Sequence, residues 1–216
     1  MANGIKIGTN NISGIKIGTA DVDAVYIGTT QVYPSTPPFQ GKWLATYSGG
    51  TTSSAECDSS SAITSGEITK NNLVSVKIGN CVSSIGASAF YNYTSLTSVT
   101  IPNSVSSVGN YSFEGDGNLA LINIPNSVTN IGISAFYNCL GLANAIIGSG
   151  VTTIGHSAFQ GCSSLMSVTS MAVTPPSIGS NVFSNSGNCP IYVPSASVNA
   201  YKTAWVEYAS RIQAIQ

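Results

Sequence analysis

Side chains able to perform acid–base or nucleophilic chemistry are few and scattered in this chain. His156 is the single histidine and directly follows a glycine of a repeated motif, where we interpret it as an exposed or bend residue. The carboxylates lie in turn-like or divergent sequence: Asp21, Asp23, Asp58, Glu114 and Asp116. None is spaced to form a catalytic pair, although a weak calcium site at Asp116-Gly117 stays open. We predict no enzyme, no catalytic residue, no cofactor and no metal site.

The cysteines are odd in number and contain no CxxC pair: Cys57, Cys81, Cys139, Cys162 and Cys189. This pattern predicts neither a zinc site nor a disulfide framework. Cys139 and Cys162 are 23 residues apart, so they occupy one column of a repeat. We expect them to be buried thiols, although adjacent coils could bring them close enough to oxidise.

Composition restricts the setting in which this chain functions. Only 7% of its residues are charged, against about 25% in ordinary domains, so its surface must be built from Ser, Thr and Asn. A net charge of −1 argues against binding nucleic acid, which needs a basic face. No run is long enough to span a membrane, and residues 1–11 do not resemble a signal peptide. We expect no membrane insertion and, if Met1 is the native start, synthesis in a cytoplasm without self-secretion.

The elements that position these residues follow from a repeat. Four phenylalanines stand 23 residues apart: Phe90, Phe113, Phe136 and Phe159. Such a period indicates a solenoid, in which each coil buries its apolar face only by stacking on its neighbours. The phenylalanine column predicts the stacked core of the convex side. A glycine column, Gly86, Gly109, Gly132 and Gly155, is interpreted as a tight bend with unusual backbone angles.

Each repeat also contains a segment with the alternation of a short strand. In LTSVTIP, Val99 and Ile101 alternate with Thr100, and Pro102 ends the segment because it lacks an N–H for a further ladder bond. One strand per coil therefore predicts a parallel sheet over five to six coils, residues 61–194.

The outward side of that sheet is the candidate ligand face. Its two columns are Ser75, Ser98, Leu121, Asn144 and Ser167, and Lys77, Thr100, Asn123, Ile146 and Thr169. They form a flat, nearly uncharged ladder of hydroxyls and amides. Such a face could hold a glycan or a protein strand, and a plain solvated sheet is the alternative.

The two ends depart from the repeat. Residues 195–216 predict a helical cap, since Val198, Tyr201, Trp205, Tyr208 and Ile212 recur at helical spacing with Ser195 or Ser197 as N-cap. The helix is expected to cover the last coil, and binding of a partner is the alternative. Residues 34–60 are interpreted as a Pro-rich linker followed by an irregular N-cap.

Residues 1–33 carry a separate ten-residue repeat. Its alternating apolar residues are Ile5, Ile7, Ile15, Ile17, Val25 and Ile27. Ten residues leave no room for a crossover helix, so a small antiparallel β-meander is predicted. A unit this small cannot hold a substantial core alone. We therefore expect it to anchor or assemble the protein on a partner surface.

The 23-residue pattern, L-x-x-V-x-I-P-x-x-V-x-x-I-G-x-x-A-F-x-x-C, resembles the BspA-like, or Treponema-type, leucine-rich repeat. The residues that carry the resemblance are Ala89-Phe90, Ala135-Phe136, Ala158-Phe159, Cys139 and Cys162, whereas Tyr93 and Asp116 depart from it. The resemblance covers about residues 60–216 and implies a leucine-rich repeat fold with a terminal cap. We predict a mainly β solenoid with short irregular, 3-10 or helical convex segments, preceded by the meander and closed by a C-terminal helix.

The function implied by resemblance has two forms. Such repeats occur in bacterial surface adhesins, protist proteins and phage structural proteins. The opening I-K-I-G-T repeat is similar to structural proteins of gut Bacteroidales phages, including crAss-like phages. We expect a non-enzymatic virion protein, a head or tail fibre or capsid decoration, that binds virion proteins through residues 1–33 and assembles as a homo-oligomer. Its displayed repeats could adhere to a glycan or protein of the bacterial host surface. The alternative is a BspA-like adhesin, on the cell surface or secreted, that binds host protein or glycan.

Overall fold

A computed structural model describes residues 40–58 and 61–216 in full, and residues 5–7, 10–12, 25–27 and 30–33 as backbone strands. The chain divides into two compact units, Met1–Phe39 and Gln40–Gln216.

The first unit contains two antiparallel hairpins. Strand β1 (Ile5–Ile7) pairs with β2 (Asn10–Ile12), and β3 (Val25–Ile27) pairs with β4 (Thr30–Tyr33). Each described hairpin forms within one ten-residue repeat, which differs from a meander of one strand per repeat. The predicted anchor residues Ile5, Ile7, Val25 and Ile27 lie in β1 and β3, whereas Ile15 and Ile17 lie outside the described residues.

The second unit is a solenoid that begins with an antiparallel hairpin. Each following coil contributes short strands that pair with the equivalent strands of the neighbouring coils. The strands are, in chain order, β5 (Trp43–Tyr47), β6 (Thr52–Ala55), β7 (Ala62–Ile63), β8 (Leu73–Ile78), β9 (Ser84–Ile85), β10 (Ser98–Thr100), β11 (Ser107–Val108), β12 (Leu121–Ile124), β13 (Asn130–Ile131), β14 (Asn144–Ile147), β15 (Thr153–Ile154), β16 (Ser167–Ser170), β17 (Ser177–Ile178), β18 (Ile191–Val193) and β19 (Ile212–Ala214). The predicted β-rich repeat solenoid is confirmed.

The coils form two parallel ladders, where the sequence predicted one. The longer strands make a four-stranded sheet, β10-β8-β5-β6, and a five-stranded sheet, β12-β14-β16-β18-β19. A second, six-stranded ladder joins β7, β9, β11, β13, β15 and β17, each only two residues long. A two-residue strand shows no alternation, which is why this ladder was missed.

The phenylalanine column is the centre of the core, as predicted. Rings of successive coils stack with centroids 5.0 to 5.6 Å apart, and all are buried: Phe90, Phe113, Phe136, Phe159 and Phe183. A third set of main-chain hydrogen bonds links the coils here, since Phe113 N donates to Ala135 O at 2.8 Å and Phe136 N to Ala158 O at 2.8 Å. Stacking of the coils thus buries the rings and also provides hydrogen-bond partners for the backbone of each coil.

The glycine column is explained by close packing of the coils and not by the unusual backbone angles that the sequence predicts. Gly109 and Gly155 do not adopt positive φ; a Cβ atom on either would lie 2.6 Å from backbone of the preceding coil. Close approach of the coils, and not a strained bend, therefore excludes side chains there. Positive φ values occur instead two residues before and two residues after each phenylalanine, as at Ser134 (51°) and Asn138 (55°) around Phe136.

The described part of the N-cap region, residues 40–58, contains a regular hairpin where irregular structure was expected. Its hairpin, β5 and β6, extends the parallel sheet because β5 pairs antiparallel with β8. A Cys57–Cys81 disulfide fastens this region to the first coil, although the cysteine pattern in the sequence indicates no disulfide framework. Lys42, buried beneath the hairpin, forms ion pairs with Asp58 at 3.3 Å and Glu67 at 3.0 Å.

The C-terminal cap is partly helical. It consists of a 3-10 helix (Ser195–Ser197), helix α1 (Val198–Ala204), a second 3-10 helix (Val206–Arg211) and β19, which pairs parallel with β18. The apolar stripe is directed inward, since Tyr201, Trp205, Tyr208 and Ile212 are buried. It therefore covers the last coil, as expected, and is not free to bind a partner. Ser197 is the N-cap residue, but its hydroxyl donates to Val173 O at 2.6 Å and makes no capping bond.

Candidate binding face

Asp21 and Asp23 lie outside the described residues, and the structure does not bring His156, Asp58, Glu114 and Asp116 together. His156 is exposed, and its Nδ1 lies 2.7 Å from the hydroxyl of Ser180. In the described part of the chain, no cluster of three or more His, Cys, Asp or Glu side chains could hold a metal ion. Among the same residues, no helix is long and apolar enough to cross a membrane.

Asp116 is the acidic residue whose environment differs most from the prediction. The sequence indicates a turn at this residue and leaves a weak calcium site open. In the structure the side chain is 0% exposed, and its Oδ1 accepts a hydrogen bond from Tyr93 N at 2.7 Å. Its Oδ2 has no hydrogen-bond partner. Burial raises the pKa of Asp116 to about 9, against the opposing effects of the Tyr93 bond and the Lys70 charge. A neutral, enclosed carboxylic acid does not suit a calcium ion.

Cys139 and Cys162 are buried thiols, as predicted. Each donates a hydrogen bond to the carbonyl of a phenylalanine in the preceding coil, Cys139 to Phe113 O at 3.1 Å and Cys162 to Phe136 O at 3.2 Å. Burial raises the pKa of Cys162 to about 12 and that of Cys139 well above its usual value. Neither thiol has the thiolate character that reactivity requires.

The ten residues predicted for the ligand face lie in two rows on one side of the longer strands. The first row runs Ser75, Ser98 and, across a gap in the ladder, Leu121, Asn144 and Ser167. The second runs Lys77, Thr100 and, across the same gap, Asn123, Ile146 and Thr169. All ten are exposed or half-buried, while the residues between them on each strand point into the core. Whether this face binds a ligand stays a prediction.

The rows are longer than predicted, because strands outside the regular repeat continue them. At the N-terminal end, Leu44 of β5 lies in register with Lys77, and Thr46 with Ser75. At the C-terminal end, Tyr192 lies in register with Thr169, and Gln213 with Tyr192. We call this whole surface the strand face. Tyr192 could have been found from the alternation of IYV, since it stands between the buried Ile191 and Val193.

The strand face has two chemically different halves, separated where β10 and β12 do not form a ladder. The N-terminal half, on β10-β8-β5-β6, presents hydroxyls, Lys77 and the half-buried Leu44. The C-terminal half, on β12-β14-β16-β18-β19, exposes Leu121 (48%) and Ile146 (37%). Among the described residues of both rows, Lys77 is the only charged side chain. The described rows of the C-terminal half are therefore uncharged and contain two exposed aliphatic side chains among hydroxyls and amides, and we call this half the apolar half.

A shallow cleft of about 210 Å³ lies at the end of the C-terminal half. Its lining residues are Thr169, Tyr192, Ile215 and Gln216. Ile215 is held by the hydrogen bond from its N–H to Val193 O at 2.9 Å. The cleft thus combines an aromatic ring, an aliphatic wall, a hydroxyl and an amide.

The second ladder is a poorer candidate for binding, although its surface is also rich in hydroxyls. The side chains beside it already bond to the preceding coil: Thr129 Oγ1 donates to Ser106 O at 3.2 Å, and Thr152 Oγ1 to Thr129 O at 3.1 Å. These hydroxyl protons are therefore not free for a ligand.

A family model described as BspA type leucine-rich repeat region matches residues 61–190 in six copies. The chain is similar to the solved structure of a leucine-rich repeat protein of T. pallidum, at 28% identity over 58% of this chain and 60% of that one, with a TM-score of 0.53. It is also similar to a leucine-rich repeat protein of Bacteroides ovatus, at 22% identity over 69% of this chain and 45% of that one (TM-score 0.45). A leucine-rich cell surface protein of Faecalibacterium prausnitzii matches at 19% identity over 84% of this chain and 73% of that one (TM-score 0.35). No curated protein matches significantly. The chain thus spans less than two thirds of the T. pallidum and B. ovatus proteins.

Proposed function

Because the chain belongs to the BspA-type leucine-rich repeat family, we propose that it is a non-enzymatic adhesive protein that binds an extended partner on its strand face. The solenoid holds the rows of this face at fixed spacing, since neighbouring strands lie about 4.8 Å apart. A rigid, regularly spaced surface binds without ordering its own backbone, which lowers the entropic cost of association.

The observation that carries this proposal is the exposed apolar character of the C-terminal half. Leu121 and Ile146 lie on adjacent strands of a surface that otherwise consists of hydroxyls and amides. Exposed apolar groups rimmed by polar residues mark interaction sites. The absence of charge from the described rows of this half favours an uncharged part of a protein or glycan as the partner.

Matched lysine substitutions test the proposal. Leu121→Lys places a charge in the apolar half, whereas Asn130→Lys places the same charge at an exposed position of the second ladder. Binding of both variants and the wild type to bacterial cells and to immobilised matrix proteins is measured by surface plasmon resonance and flow cytometry. We expect Leu121→Lys to abolish binding that Asn130→Lys leaves intact. If both variants bind equally well, the strand face is not the binding surface.

The setting that we propose for this activity is outside the cytoplasm. The Cys57–Cys81 disulfide supports it, because disulfides persist in oxidising compartments and are rare in the cytosol. This favours display on a bacterial surface or secretion. Cell fractionation with non-reducing mass spectrometry tests it: recovery of the oxidised protein from the surface or medium supports the assignment, and a reduced cytosolic pool contradicts it.

A virion structural protein is the second candidate, and residues 1–33 are what favour it. Their described strands form two short hairpins, and so small a unit needs a partner surface. We propose that this unit anchors the solenoid on other proteins and, as a virion component, in several copies around a symmetric site. Mass spectrometry of purified virions from the same source tests this candidate, which fails if the protein is absent from them.

A further inference from the structure

The cleft lies at the C-terminal end of the strand face. Three of its four lining residues come from strand β16, strand β18 and the residue after β19, and the fourth is Gln216. Thr169 and Tyr192 are directly opposite each other across two paired strands. The floor of the cleft is therefore part of the sheet and is rigid.

The size of the cleft limits what it can hold. At about 210 Å³ it is smaller than the roughly 300–1,000 Å³ of pockets for drug-sized molecules. Because the cleft is also open, one six-membered ring with its substituents directed to solvent matches it better than an enclosed cofactor or a folded peptide.

The chemistry of the lining residues indicates the class of ring. Tyr192 offers a half-buried aromatic side chain, Ile215 an aliphatic wall, and Thr169 and Gln216 neutral donors and acceptors. A pyranose has an apolar face of C–H groups and an edge of hydroxyls, which this combination complements. None of the four side chains is charged, and Lys77, the charged residue of the described rows, lies in the other half of the face. Anionic sugars would find no cation in the cleft.

We propose that this cleft is a subsite for one pyranose ring of a neutral glycan, with Tyr192 as its stacking platform. The inference rests on the proposed binding function and makes it more specific, since it names a neutral saccharide as the ligand of the C-terminal end. Ile146 precedes Thr169 in the same row, so the next part of an extended glycan would lie over the apolar half.

The test uses the whole chain and an immobilised panel of neutral, sialylated and sulfated oligosaccharides, followed by calorimetric titration of the best neutral ligand. Three variants are compared: Tyr192→Ala removes the ring, Tyr192→Phe keeps it, and Tyr91→Ala removes an exposed tyrosine elsewhere. We expect binding of neutral oligosaccharides, about tenfold weaker in Tyr192→Ala and within about threefold of wild type in Tyr192→Phe and Tyr91→Ala. Unchanged thermal unfolding of Tyr192→Ala confirms that the variant folds.

The outcomes separate this inference from the function on which it rests. If the wild type binds no neutral oligosaccharide, or prefers anionic ones, or if Tyr192→Ala binds as well as wild type, the subsite is overturned. Binding to cells that Leu121→Lys still abolishes would in that case leave the proposed function standing. If the wild type binds neither neutral oligosaccharides nor cells, both the subsite and the proposed function are overturned.

Discussion

The two halves of the strand face continue the same two rows of side chains across a gap in the ladder, yet they differ in what they present. The N-terminal half presents hydroxyls, Lys77 and the half-buried Leu44, and the C-terminal half exposes larger aliphatic side chains. The N-terminal sheet ends in an antiparallel hairpin, a disulfide and the buried Lys42 with its two carboxylates. The C-terminal sheet is all parallel and exposes aliphatic side chains beside a cleft. Both ends of the solenoid are closed, the N-terminal end by the hairpin and the C-terminal end by Tyr201, Trp205 and Tyr208. The difference between the halves therefore teaches that the exposed face can be specialised separately from the caps.

The coil around Phe113 lies between the two halves and has its own defects. Its Ser112 and Asp116 replace the alanine and cysteine found at the matching positions 135 and 139. Ser112 Oγ and Asp116 Oδ2 are both buried without a hydrogen-bond partner. Buried, unpaired polar atoms cost stability. The boundary between the halves therefore coincides with the least satisfied coil of the described solenoid.

The largest loss of stability should come from removing a core side chain at this boundary. Phe113→Ala removes the ring that stacks on Phe90 and Phe136 and should lower the free energy of unfolding by about 3–5 kcal/mol. We expect calorimetry to show the halves unfolding in two transitions, because nearest-neighbour contacts alone couple coils. Phe113→Leu, the matched control, should keep one transition. A single transition and a loss below about 1 kcal/mol in Phe113→Ala would contradict the boundary.

The second largest effect should come from removing the disulfide, which is expected to destabilise the N-terminal half alone. Replacing both disulfide cysteines, Cys57→Ser with Cys81→Ser, should destabilise the protein by about 3 kcal/mol, since the bridge closes a loop of 24 residues. Hydrogen exchange should accelerate in β5, β6 and β8 and stay unchanged in β14 and β16. Reducing agent should reproduce the effect in the wild type and do nothing further to the double variant. Equal acceleration in both sheets would show that the disulfide does not act on the N-terminal half alone.

The third effect is pH-dependent and local to the boundary coil. Because the pKa of Asp116 is raised to about 9 from 3.8, the folded state favours the protonated carboxyl. Its stabilisation is complete below the unfolded pKa and is lost as the pH rises through about 9. Asp116→Cys should therefore raise stability at pH 7 by about 1–3 kcal/mol and flatten the fall in melting temperature between about pH 4 and 9.

The control for this prediction is Glu207→Gln, which neutralises an exposed acid. Its melting temperature should follow that of the wild type at every pH. Parallel curves for Asp116→Cys and the wild type would refute the assignment of the pH dependence to this carboxyl.

The sequence predicts the elements whose side chains show a clear pattern and misses those that do not. The second ladder is missed because its strands are two residues long, and the N-terminal hairpin and disulfide because they lie outside the repeat. The 23-residue period is sufficient to predict the phenylalanine column that contains Phe113, the longer strands and the outward rows, because equivalent positions of successive coils pack in the same way. The hairpin was missed because Thr52–Ala55 has no apolar alternation, and the disulfide because Cys57 lies outside the repeat. The environment of Asp116 was misjudged from turn chemistry, although its column, shared with Cys139, already indicated burial.

The smallest effect on stability should come from the face itself. Ile146→Lys and Thr100→Lys change exposed positions in opposite halves, and each should alter the free energy of unfolding by about 0.5 kcal/mol or less. Thermal unfolding at pH 7 checks this. A loss of several kcal/mol in either variant would show that the position supports the core instead of presenting a surface.

These two variants also test the central claim most directly, because they differ only in the half that receives the charge. Binding of wild type, Ile146→Lys and Thr100→Lys to bacterial cells is measured side by side by flow cytometry. If the C-terminal half is the binding surface and the N-terminal half is a cap, Ile146→Lys should lose binding while Thr100→Lys stays close to wild type. Equal loss in both variants, or loss in Thr100→Lys alone, would contradict the account.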